Sequence, residues 1–109
     1  MESELSFDWS ELEGPEEQQI RVITYDLIIA HVEVFHPDLF ELFYQEEEKR
    51  ISEGRDNNPI MLTISGLITE MNLDRIVTDA VSMLNLSQDE YMRKRAEYLE
   101  YLRGLSQSQ

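Results

Sequence analysis

Apolar and polar positions alternate along this chain with the period of helices rather than strands. From Ile20 to Phe35 apolar residues fall on nearly every face: Ile20, Val22, Ile23, Tyr25, Leu27, Ile28, Ile29, Val32, Val34 and Phe35. The β-branched content argues for a strand. The run is too long for an ordinary strand and carries no internal turn signal, so the pattern predicts a central, mostly buried helix. Gly14-Pro15 precedes it, with Pro15 suited to the first helical position and Glu16 and Glu17 to the positive end of the helix dipole.

His36-Pro37 closes that helix and opens a second over 37–53, where Leu39, Phe40, Phe43, Tyr44 and Ile51 share one side and Gly54 is the stop. Asn58-Pro59 opens a third, with Ile60, Ile64, Leu67, Ile68 and Met71 as its stripe. The Ser65-Gly66 pair inside it suggests a close crossing by a neighbouring helix. Asn72 or Asp74 caps a fourth, whose stripe is Leu73, Ile76, Val77, Ala80, Val81 and Leu84. Ser87-Gln88-Asp89-Glu90 is a capping box that starts a fifth, expected to end before Gly104. The fold class that follows is all-α: a compact bundle of about five short helices after an acidic, flexible N-terminal tail. The expected divisions are a tail over 1–14, a helical domain over 15–104 and a frayed end over 105–109.

Charge changes the picture next. The chain of 109 residues has 23 acids and nine bases, a net charge of −14. Half of it lies in residues 1–17, which hold seven acids and no base. Such a field repels phosphate backbones and anionic lipid, so neither direct nucleic-acid binding nor membrane-surface binding is expected. The acidic start lacks the apolar core of a signal peptide, and no apolar run is long enough for a span. There are no cysteines, which suits a reducing, cytoplasmic compartment and removes thiol chemistry.

The residues for catalysis are sparse. The glycines are scattered, so no phosphate loop forms. His31 and His36 are five apart and face opposite sides of a helix. Glu33-Val34-Phe35-His36 matches half of a di-iron motif, but the partner motif is missing. Glu97 and Glu100 form one carboxylate pair at metal-site spacing, with none to converge on them. Asp89–Arg93 and Glu90–Lys94 read as intrahelical ion pairs that offset the basic run Arg93-Lys94-Arg95. A non-enzyme without metal or cofactor is expected.

Three surfaces remain for a protein partner. Leu5, Trp9 and Leu12 have the anchor spacing of a helix in a groove, with Asp8 and Glu11 between them. Their alternative is to dock on the chain's own helices. Glu46, Glu47 and Glu48, with Glu41, make an acidic stripe on the second helix, suited to a basic surface. Tyr91, Tyr98, Tyr101 and Leu102 form a wide band on the last helix, suited to a homodimer or a partner helix. The expected function is therefore a small acidic binding protein that regulates or inhibits a partner with a basic surface, in its sharpest form by imitating nucleic-acid charge. The alternative is a helical assembly subunit or chaperone working through apolar faces, and a third reading is an all-α metal-dependent hydrolase.

Overall fold

The computed structural model describes residues 12–107. Five α-helices follow one another: α1 (Glu16–Phe35), α2 (Pro37–Glu53), α3 (Ile60–Leu67), α4 (Leu73–Val81) and α5 (Gln88–Gln107). A 3-10 turn, Ile68–Glu70, continues α3. The described residues contain no strand.

The organising element is α1, against which α2, α4 and α5 all pack. Ile23, Leu27, Ile28, Ile29, Ala30 and Val32 are all buried. A helix covered on several sides has no single apolar stripe, which is why its sequence looks strand-like. Phe43 of α2, Ile64 of α3, Ile76 and Ala80 of α4 and Tyr91 of α5 complete the core around it.

Local signals set the helix ends. Pro15 sits one place ahead of the first helical residue, and its carbonyl accepts from Gln19 N at 3.0 Å. Gly54 ends α2 at φ +69°, the left-handed region that glycine enters without steric cost. Asn72 caps α4 by accepting from Arg75 N at 3.1 Å. The capping box of α5 is closed in both directions: Ser87 Oγ accepts from Glu90 N at 3.2 Å, and Glu90 Oε1 accepts from Ser87 N at 3.2 Å.

Four expectations need correcting. The helix α5 runs on to Gln107, because nothing near Gly104 forces a stop. No neighbour comes within 4 Å of a Cβ placed on Gly66, so no helix crosses there. Ile51 is exposed, as it lies in the last turn of α2 beyond the reach of α1. On α4 only part of the stripe is used: Ile76 and Ala80 are buried, while Leu73, Val77 and Val81 face outward.

A polar cluster sits inside the α1–α5 contact. Asp26, almost fully buried, accepts from the Tyr91 hydroxyl at 2.6 Å and from Arg95 Nε at 2.9 Å. Burial, reinforced by the Asp26 charge, drives the Tyr91 hydroxyl far above its ordinary pKa. Burial alone would lower the Arg95 pKa, but Asp26, by charge and hydrogen bond, together with Glu33 and Tyr91, turns the net shift upward. Arg95 is thus an internal ion-pair partner and no part of a surface basic run.

A second cluster ties the start of α1 to the turn after α4. Gln19 donates to the Gly14 carbonyl at 2.9 Å and accepts from Asn85 N at 3.0 Å. Asn85 holds φ +58° and donates to Glu16 Oε2 at 2.7 Å. These bonds offset the strain of a left-handed non-glycine residue.

Candidate functional site

Two surfaces adjoin α4. The first is an open cleft of about 210 Å³ between α4 and α5, lined by Arg75, Asp79, Lys94, Glu97, Tyr98 and Tyr101 among others. Arg75 Nε lies 3.3 Å from Asp79 Oδ1, one turn on, and its guanidinium sits 5.7 Å from the centre of the Tyr101 ring. Behind them the Tyr98 hydroxyl and His31 Nε2 share a hydrogen bond of 3.0 Å. Burial lowers the His31 pKa, opposed in part by the Asp79 charge. The Tyr98 hydroxyl is pushed up to about 12, by burial first and then by Asp79.

This chemistry is that of a packed corner. The arginine is matched by an aspartate, and the histidine by a tyrosine that stays protonated. Among the described residues no group of three or more histidines, aspartates and glutamates is placed to hold a metal ion.

The second surface is the outer side of α4. Leu73, Val77 and Val81 stand at i, i+4 and i+8, with exposures of 41%, 36% and 48%. Ile76 and Ala80 fill the inner side, so the helix is apolar on two adjacent faces and only one is covered. Asp74 lies next to the row, at i+1 of Leu73 and i−3 of Val77. The sequence stripe contained all three residues but assigned them to the core. The available signal was its width, since five apolar positions among the nine residues of α4 exceed what one face buries.

The predicted binding residues are distributed unevenly. Tyr91 and Leu102 are each only 1% exposed, spent on the chain's own interior, and cannot belong to a dimer face. Tyr98 is half-buried behind the cleft, while Tyr101 is exposed. The band looked wide because α5 uses one side for Asp26 and the core and another for α4.

The acidic stripe of α2 is divided too. Glu47 takes both Arg50 Nε and Nη2, at 3.1 and 2.8 Å, and accepts from Asn58 Nδ2 at 3.0 Å. Buried Asn58 also donates to the Phe43 carbonyl at 3.1 Å and caps α3 by accepting from Ile60 N at 3.0 Å. Glu47 is therefore a hinge-pin of the α2–α3 corner. Glu46 lies 3.4 Å from both Lys49 and Arg55. Glu41 accepts from Gln45 at 3.4 Å, and Glu48 is exposed. Of the tail motif, Leu5, Asp8, Trp9 and Glu11 lie outside the described residues. Leu12 is half-buried against the core.

No protein-family model, curated protein or solved structure matches this chain. Among the described residues, no helix is long and apolar enough to cross a membrane. The functional reading therefore rests on the surfaces themselves.

Proposed function

We propose that this chain is a non-enzymatic protein-binding module that regulates or inhibits its partner, with the outer row of α4 as its contact face. The observation that carries this is the exposure of Leu73, Val77 and Val81 in one line on a short helix. A contiguous apolar row with a polar margin is characteristic of a surface meant for another protein. The net charge of −14 supplies the second half of the reading. It steers the chain toward a partner with a basic surface and raises the association rate at low salt.

This reading draws on the alternative of apolar helix faces as much as on charge. Imitation of a phosphate backbone is the weaker form. Glu46 and Glu47 are engaged by Lys49, Arg50 and Arg55, which leaves mainly Glu41 and Glu48 on α2 to act as free charge.

The test is a pull-down with tagged wild-type chain and with Val77→Asp, each washed at low and high salt. A partner retained through high salt by the wild type and lost by Val77→Asp supports the reading. A partner retained equally by both, or held only at low salt, overturns α4 as the contact face.

A further inference from the structure

We propose that the cleft between α4 and α5 receives a cationic side chain of the partner, arginine above all, and that Arg75 fills that place in its absence. The inference rests on the reading of a partner with a basic surface and adds where one of its charges is seated. Three observations carry it.

The first is what surrounds Arg75. Its guanidinium sits 5.7 Å from the centre of the Tyr101 ring, and its Nε lies 3.3 Å from Asp79 Oδ1. An aromatic face with a carboxylate beside it is a general receptor for guanidinium and ammonium groups. Glu97 adds a second carboxylate to the lining. The second is how loosely the place is held. The Arg75 side chain is 58% exposed, and its ion pair joins neighbours one turn apart on the same helix, a contact worth little in water. Asp79 is only 23% exposed and Tyr98 is half-buried, so the walls are set more firmly than their occupant. The third is charge. Arg75 and Lys94 balance Asp79 and Glu97 in the cleft as it stands. With Arg75 turned out to solvent the carboxylates outnumber the remaining cation, within a chain of net charge −14. An incoming cation is then drawn to the vacated place.

A volume of about 210 Å³ suits one long side chain rather than a whole small-molecule ligand. Arg75 and Asp79 stand about half a turn round α4 from Leu73, Val77 and Val81. The cleft and the apolar row therefore flank the exposed crest of α4, and a partner that straddles this helix meets both. Arg75 acts in this arrangement as a weak internal competitor, which favours a cation delivered with further contacts over one that arrives alone.

The experiment is a titration of the full chain with acetyl-arginine amide, followed by two-dimensional amide NMR, with acetyl-citrulline amide as the uncharged isostere. It is repeated on Arg75→Gln and Tyr101→Leu. Arg93→Gln is the control, because Arg93 is exposed on α5 outside the cleft and its loss changes the net charge equally. Far-UV circular dichroism confirms that each variant folds. The expected result is that arginine, and not citrulline, shifts the amides of Asp79, Glu97, Tyr98 and Tyr101. Affinity should rise about two- to fivefold in Arg75→Gln, the worth of an exposed ion pair, stay unchanged in Arg93→Gln and fall in Tyr101→Leu. Shifts scattered over the acidic surface, or equal gains in Arg75→Gln and Arg93→Gln, reduce the effect to the overall field and overturn the proposal. Equal binding of citrulline, or no shift at the cleft, overturns it as well. Each of these results leaves the α4 row standing as the contact face, since that reading falls only with the Val77→Asp pull-down.

Discussion

Replacing Asp26 with asparagine isolates the energetics of the α1–α5 contact. The change keeps the side-chain shape and an acceptor for the Tyr91 hydroxyl, but removes the charge that Arg95 was buried to meet. The Arg95 side chain is only 14% exposed, and its Nη2 has no hydrogen-bond partner among the described residues. Asp26 is thus its main compensation, and breaking a buried pair from one side costs about 3–5 kcal/mol. Against a total stability of about 5–15 kcal/mol, that is a large share. It corresponds to a fall in Tm of about 12–20 °C for a domain of this size. Urea titration followed by circular dichroism at 222 nm gives the difference directly, with an unchanged m-value confirming that stability alone moved. Removing both charges while keeping an acceptor for the Tyr91 hydroxyl, as Asp26→Asn with Arg95→Met, should recover most of that loss, because no orphaned charge remains. A loss below about 1 kcal/mol in Asp26→Asn would refute the account, since it would mean that water already reaches Arg95.

The remaining predictions concern the helices and the tyrosines. Gly66→Ala and Gly104→Ala should each raise stability by about 0.5–1 kcal/mol, because both sit in helices with open space around them, while Gly54→Ala should lower it by about 1 kcal/mol at its left-handed φ. Thermal melts of the three variants check the opposite signs. Ser87→Ala should cost about 1 kcal/mol by opening the capping box of α5, measurable in the same urea titration. The contribution of Tyr91 to stability should be constant below about pH 10 and fall above it, because the folded state holds Tyr91 protonated while the unfolded chain loses that proton near its ordinary pKa. The slope is about 1.4 kcal/mol per pH unit from Tyr91, with Tyr98 adding less through partial solvent screening. Tyr91→Phe should flatten this alkaline limb, and an unchanged limb would exclude Tyr91 as its source.

The fold was legible wherever chemistry acts locally. Helix α2 begins at Pro37 and stops at Gly54 because proline and glycine act on their own backbone. The Ser87–Glu90 box needs only four consecutive residues to be recognised. What the sequence hid depends on distant contacts. Asp26 looks like a polar interruption in an apolar run until Tyr91 and Arg95 arrive from 65 and 69 residues away. Glu47 reads as one more surface acid until Asn58 folds back onto it. Helix α4 carries five apolar residues, and no local rule tells which side α1 will cover. The tyrosine band of α5 had the same ambiguity, resolved with Tyr91 and Leu102 inward and Tyr101 outward.

The position of Asp26 on α1 bears on how the chain is made. Synthesis delivers the central helix first and the helix that seals it last. Until α5 has emerged, the α5-facing side of α1 has no cover, and a long β-branched apolar surface stands open to other nascent chains. A carboxylate in the middle of that surface keeps it hydrated and resists its burial against anything lacking a matching cation. Only α5 brings both the tyrosine hydroxyl and the guanidinium that satisfy it. Asp26 thus makes burial of this side of α1 costly until the last helix supplies its partners.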